Sequence, residues 1–185
     1  MERLEIVCRH IDRLSVQKER VIIAIDGKCA SGKTTLAAQL SEKYDCNVFR
    51  MDDFFLRPEQ RTPERYMQIG GNVDYERFNE EVLLPLLSGS AFSYRPFDCQ
   101  TFTLGFPELA PVKKLNIIEG TYSMHPYFSD PYHLKLLMTV DPDTQRRRIL
   151  ERPAFLHERF FTQWIPLEND YFEKLRIADK ADLIL

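Results

Sequence analysis

Apolar and polar positions change period several times along the chain, and each change marks an element. Leu4, Val7, Ile11 and Leu14 recur at intervals of three and four, which predicts an amphipathic helix over residues 2–18. Val21-Ile22-Ile23-Ala24-Ile25 is a short, mostly β-branched run without polar interruption, the pattern of a parallel strand buried on both faces. Residues 34–43 (TTLAAQLSEK) have helical composition, with Leu36, Ala37 and Leu40 as the apolar stripe. Asn47-Val48-Phe49-Arg50-Met51 predicts a second strand ending at Asp52-Asp53. Residues 57–71, rich in proline and charge, predict an exposed loop with room for a short helical turn. Asp74 is a candidate cap for a helix over residues 75–87, whose buried face is Phe78, Val82, Leu83 and Leu86.

Beyond residue 88 the pattern turns irregular. Gly89, Pro96, Gly105, Pro107 and Pro111 punctuate aromatic and β-branched residues, which favours an excursion or hairpin of short strands over helix. Leu115-Asn116-Ile117-Ile118 predicts a third core strand running into Glu119-Gly120, and residues 134–140 (LKLLMTV) a fourth, ending at Asp141. Residues 143–151 read as helix and 181–185 as a fifth strand. Alternation of helix and strand points to a three-layer α/β domain around a parallel sheet. No internal repeat or low-complexity segment interrupts it, and 185 residues suit one domain over residues 1–185.

The turn between the first strand and its helix carries the chemistry. Gly27-Lys28-Cys29-Ala30-Ser31-Gly32-Lys33-Thr34 matches the phosphate-binding pattern G-x-x-x-x-G-K-[ST], with the strand before it and the helix after it that the motif requires. Glycines let successive N–H groups point at phosphate oxygens, and the helix N-terminus adds partial positive charge at the same place. Lys33 would reach the β- and γ-phosphates, and the Thr34 hydroxyl would sit on Mg²⁺. Gly27 through Thr34, together with Thr35, are therefore the candidate nucleotide-binding residues. Ligands of open parallel sheets bind beyond the carboxyl ends of the strands. That rule gathers Asp52-Asp53 and Glu119 in front of the loop, where carboxylates can hold the metal's water shell or accept a proton from an attacking hydroxyl. Each acidic strand end taken alone is also an ordinary solvated turn. Asp53 competes with Asp52 for the role of base.

Composition narrows the classes. A net charge of −3 gives no electrostatic case for a nucleic-acid partner. No apolar run approaches the roughly 20 residues that span a bilayer, and the N-terminus lacks a signal-peptide stretch. Cys8, Cys29, Cys46 and Cys99 form no C-x-x-C pair and have no histidine at ligand spacing, so free thiols in a reducing cytosol are expected. No N-K-x-D guanine signature occurs, which disfavours a GTPase switch. A non-catalytic nucleotide-binding module, with structural carboxylates, is the remaining rival to an enzyme.

At this point the chain resembles a known group, the P-loop kinases that include uridine kinase, nicotinamide riboside kinase, phosphoribulokinase and bacterial pantothenate kinase. The resemblance rests on GKCASGKTT at 27–35, MDDFF at 51–55, NVDYERF at 72–78, IIEG at 117–120 and DPDTQRRRILER at 141–152, most of the chain from residue 21 onward. It implies a three-layer P-loop kinase fold with a five-stranded parallel sheet and a lid near residues 146–160. It implies ATP and Mg²⁺, with Thr34, Asp52 and Glu119 around the metal. By the same resemblance Lys33, Asp52 and Glu119 are catalytic, Asp52 as general base toward the acceptor hydroxyl and Glu119 assisting metal or substrate. Asp74 would hold ribose hydroxyls.

Arg146, Arg147, Arg148 and Arg152 look like the entry to that lid, where mobile arginines supply charge over the moving phosphoryl group and exclude water. Arg148 and Arg152 are the candidate nucleotide contacts, against the plainer reading of a solvated helix face. The base-recognition grouping of uridine kinase is not reproduced in residues 94–100. Phe97 or Tyr94 could still stack on a base, or serve only as core aromatics. Trp164-Ile165-Pro166-Leu167-Glu168 resembles the tryptophan-proline segment after the lid of nicotinamide riboside kinase. Members of the group usually continue past the fifth strand, where this sequence stops at Leu185, into a loop beside the adenine. The function expected is ATP-dependent phosphoryl transfer to a hydroxyl of a small molecule, a ribonucleoside first, with nicotinamide riboside, pantothenate and sugar phosphates as alternatives. The partners expected are ATP and that acceptor, with no nucleic acid and no membrane.

Overall fold

β1 (Val21–Gly27) is buried along its whole length at the middle of a five-stranded parallel sheet in the computed structural model, which describes residues 2–185. β2 (Cys46–Arg50) and β5 (Leu183–Ile184) are the edges, and β3 (Leu115–Glu119) and β4 (Leu134–Met138) flank the centre, in the order β2-β3-β1-β4-β5. Register places Ile25 of β1 beside Glu119 of β3 and Gly27 beside Met138 of β4, so the carboxyl ends finish together.

Alternation along β1 builds the two outer layers. Val21, Ile23 and Ile25 pack with Val7 and Ile11 of α1 (Glu2–Gln17) and with Leu36, Ala37 and Leu40 of α2 (Lys33–Lys43). Ile22 and Ala24 face the other way, onto Phe78, Val82 and Leu83 of α3 (residues 75–88) and onto Tyr171 of α5 (residues 157–174) and Ile177 of α6 (Ile177–Lys180). α4 (Pro142–Leu150) follows β4. The expected five-stranded parallel sheet between helical layers is the fold observed.

Boundaries differ where side-chain spacing overrides the strand pattern. Met51 does not extend β2: Met51–Phe54 form one tight turn of 3₁₀-helix, because Met51 and Phe54 are both fully buried and a three-residue interval suits that helix rather than a strand. β4 ends at Met138 instead of Val140, and β5 is two residues long. The loop expected over residues 57–71 holds two short helical pieces, Pro58–Gln60 and Pro63–Tyr66. The excursion over 88–112 is two small antiparallel pairs, Phe92–Tyr94 with Glu108–Ala110 and Phe97–Asp98 with Thr103–Leu104.

α3 and α5 each contain one wide π-type turn, Asn79–Leu83 and Phe160–Trp164, and each lies just ahead of a proline, Pro85 or Pro166. Proline lacks the N–H and crowds the preceding turn, so the helix widens there instead of breaking. In α5 that turn carries Phe160 and Trp164. Among the described residues no helix is long and apolar enough to cross a membrane, and all four cysteines are free.

Candidate functional site

A loop can cradle phosphate only if its backbone turns sharply without side chains in the way. Gly27 has φ +147°, and a Cβ there would lie 2.3 Å from the Met138 carbonyl oxygen. Gly32, at φ +98°, opens α2, and no side chain caps its N-terminal amides. The Ser31 hydroxyl in the same loop is buried and has no hydrogen-bond partner.

Lys33 curls back into this loop. Its Nζ donates to the Gly27 carbonyl at 2.8 Å and the Lys28 carbonyl at 2.9 Å, and lies 3.3 Å from Thr121 Oγ1. Thr34 donates its hydroxyl to Glu119 Oε1 at 3.1 Å. Glu119 is almost fully buried, and burial, then the nearby Asp52 charge, raise its carboxyl above the ordinary value. Arg50 approaches Glu119 at 3.9 Å.

Asp52 and Asp53 leave their turn in different directions. Asp52 is exposed and lines a cavity of about 950 Å³ together with the phosphate loop, Thr34, Thr35 and Glu119. Asp53 is absent from that lining and is half-buried toward Glu108 and Tyr94. Burial pushes the Asp53 carboxyl up to about 6, with Arg50 opposing and Glu108 and Asp52 adding to the rise. A folded-state value above the ordinary 3.8 means the native protein holds this proton more tightly than the unfolded chain, so stability falls as pH rises from about 4 to about 6. Asp53→Asn should therefore gain in melting temperature relative to wild type across that window. Paired thermal melts at pH 4, 5, 6 and 7 check it; a pH-independent difference would refute it.

Of the four arginines, Arg148 and Arg152 line the cavity. Arg148 donates to the Ala30 carbonyl at 2.7 Å, and Arg152 lies 4.9 Å from the centroid of the Phe160 ring. Arg146 instead lies over Phe161, and Arg147 is outside the lining.

Two predicted substrate residues are placed elsewhere. Asp74 is 2% exposed and does not line the cavity. Its Oδ1 accepts the Arg77 N–H at 3.1 Å as the cap of α3, and its Oδ2 accepts the Gln60 amide at 2.8 Å and faces Arg77 Nε at 3.7 Å. Phe97 is buried beneath Arg61, and Tyr94 packs edge-on against Phe49; neither reaches the cavity. Both rings are almost fully buried, Phe97 under Arg61 and Tyr94 against Phe49 and Phe54.

The structure adds residues that sequence reasoning missed. Asp26 is completely buried, and its Oδ1 accepts the Gly27 and Tyr122 N–H groups at 2.7 and 3.2 Å. Its Oδ2 accepts the Met124 N–H at 2.8 Å and the Tyr171 hydroxyl at 2.7 Å. One carboxylate thus ties the phosphate loop to the segment after β3 and to α5. Glu168, also on α5, accepts the Cys29 N–H at 2.8 Å, and Gln145 of α4 donates to the Cys29 carbonyl at 3.0 Å. Burial and the Glu168 charge push the Cys29 thiol up to about 12, so it is not a nucleophile at neutral pH. A carboxylate directly after the apolar run 21–25 was a readable signal for Asp26, since a charge at the end of a buried strand needs partners. Glu168 stands in the sequence only as the end of segment 164–168, and its contact with the loop depends on where α5 docks.

No protein-family model matches this sequence, and no curated protein matches it. Among solved structures, one described as a possible uridine kinase from Bacillus stearothermophilus superposes with a TM-score of 0.70 at 20% identity, over 97% of this chain and 98% of that one. The YGR205w protein gives 0.66 at 15% identity, over 96% and 88%. TT1252 from Thermus thermophilus gives 0.52 at 18% identity, over 91% and 88%. The likeness establishes the fold, a three-layer α/β domain around a five-stranded parallel sheet.

Proposed function

We propose that this protein transfers the γ-phosphoryl group of ATP to a hydroxyl of a small molecule. The observation that carries the reading is a single cavity faced by the phosphate loop with Lys33, the Thr34–Glu119 pair and the exposed Asp52 carboxylate. The loop amides and the unpartnered Ser31 hydroxyl offer donors to phosphate oxygens, and Lys33, Arg148 and Arg152 supply positive charge around them. In this reading the exposed Asp52 orients the acceptor hydroxyl and takes its proton.

Thr34, Asp52 and Glu119 are hard oxygen donors and fit Mg²⁺, which keeps several waters and phosphate oxygens in its shell and does not need an all-protein cage. That suits a site where, among the described residues, no three histidine, cysteine or carboxylate side chains cluster closely enough to hold a metal. When bound, the ion would offset phosphate charge. ADP release with and without added alcohols tests the reading: ATP binding without acceptor-dependent release would make the protein a non-catalytic nucleotide-binding module.

Among acceptors we place a ribonucleoside first. The motif resemblance, the fold shared with a possible uridine kinase, and the position of Asp74 directly after the cavity residues Asn72 and Val73 support it. The Gln60 amide that Asp74 now accepts is the same kind of donor as a ribose hydroxyl. Uridine should then exceed deoxyuridine in kcat/KM, by as much as roughly 10⁴-fold for a fully buried contact, and Asp74→Ala should erase most of that gap. Unchanged discrimination with a stability loss of about 1 kcal/mol would leave Asp74 as a helix cap only. Nicotinamide riboside, pantothenate and sugar phosphates belong in the same panel.

A further inference from the structure

Ala30, in the middle of the phosphate loop, holds a backbone conformation that its side chain disfavours. Its φ is +60°, the left-handed region in which a Cβ crowds the following carbonyl, and such residues persist where their surroundings fix them. The fixing groups come from outside the loop. Glu168 of α5 accepts the Cys29 N–H at 2.8 Å, and Gln145 of α4 donates to the Cys29 carbonyl at 3.0 Å. Arg148, also of α4, donates to the Ala30 carbonyl at 2.7 Å. The backbone on both sides of the strained residue is thus held by side chains of two helices.

Gln145 and Glu168 are almost fully buried, and an amide or carboxylate at that depth is costly without a partner. Each helix reaches the loop twice. Gln145 and Arg148 lie three positions apart on α4, and Glu168 and Tyr171 three apart on α5, where Tyr171 holds Gly27 through Asp26. The chain between the two grips on Cys29 carries Arg152 and Phe160, which line the same cavity. Loss of either grip would leave the loop free to relax and the cavity's arginines without a fixed relation to it.

We infer, resting on the kinase reading above, that Gln145 and Glu168 are positioning residues for phosphoryl transfer. Through the Cys29 peptide they hold the phosphate loop in the shape that receives the triphosphate, and they tie it to the segment that carries Arg148 and Arg152. Neither has to touch the reacting atoms. Position 168 serves as a hydrogen-bond acceptor, since a negative charge beside phosphate oxygens only repels them. A glutamine side chain has the same reach and supplies the same acceptor oxygen.

Steady-state kinetics of ADP release tests this. Gln145→Ala and Glu168→Ala should each raise the KM for ATP about tenfold with kcat within about threefold of wild type, the pattern of lost binding rather than lost chemistry. Glu168→Gln should return that KM to within about threefold of wild type. Cys29 gives a readout independent of turnover, through iodoacetamide labelling followed by peptide mass analysis. Its thiol is pushed up to about 12 and reacts slowly, and Gln145→Ala should speed its labelling about tenfold while the exposed Cys99 keeps its rate. The Gln145 amide itself favours the thiolate, so removing it without releasing the loop would slow the reaction instead. Alanine variants with an unchanged KM for ATP and only a lowered melting temperature overturn the inference. So does a Glu168→Gln variant as impaired as Glu168→Ala, which would make the charge the working part. If Glu168→Ala does not fold, Gln145→Ala decides: an unchanged KM with labelling no faster than wild type overturns the inference. These outcomes leave the kinase reading standing, whereas wild-type protein that neither binds nor turns over ATP strikes that reading and removes the inference with it.

Discussion

Lys33→Ala is expected to lower turnover by at least about 100-fold while the protein stays folded, since the loss of one preorganised group facing developing charge typically costs about 10²–10³ in rate. A solvated lysine would be removable at no structural expense, but Lys33 is 8% exposed and donates to two loop carbonyls. Its loss leaves those carbonyls a donor short, so a small drop in melting temperature should accompany the kinetic defect. The Gly27 carbonyl keeps the Thr121 hydroxyl as a partner at 2.9 Å, which limits the damage. Circular dichroism and thermal melts measure the fold, and ADP release the activity. A variant retaining more than a tenth of wild-type turnover would remove Lys33 from the reaction.

Asp52→Asn should lower kcat by roughly 10²–10⁴, the usual cost of losing a general base, and weaken ATP binding much less. Asp53→Asn should stay near wild type in activity, because its carboxylate turns toward Glu108 and away from the cavity. The adjacent pair is its own control. An inactive Asp53 variant beside an active Asp52 variant would reverse the assignment.

The parts of this molecule legible in the sequence are those whose cause is local. The apolar run of β1, the glycines of the phosphate loop and the capping aspartate of α3 each announce themselves within a few residues, and each lies where the pattern puts it. The sequence leaves Asp52 and Asp53 as competitors for one role, and it is a 3₁₀ turn that sends the two side chains apart. Asp74 and Phe97 show the limit of motif reasoning. The Asp74 cap is encoded locally, but the Gln60 amide on its other oxygen and the Arg61 guanidinium over Phe97 come from a segment folding back over both residues, and no spacing encodes those contacts. Tyr122 and Glu168 enter the cavity only because β3 ends beside β1 and α5 docks across the loop, which are facts of tertiary packing.

Asp26 sets a condition on biosynthesis. The phosphate loop is among the first segments to leave the ribosome, yet the Tyr171 hydroxyl that completes its anchoring carboxylate is separated from it by 145 positions. Chains elongate at roughly 5–20 residues per second, so for many seconds the nascent loop exists without the helix that fixes it. The Tyr122 and Met124 amides arrive earlier, with the segment after β3, and Tyr171 only with α5. Contacts of such long separation pay their loop-closure entropy before they return any stabilisation. The loop thus completes its anchoring late although it is encoded early, and a nascent chain holds it without Tyr171 until nearly all of its sequence is available to fold.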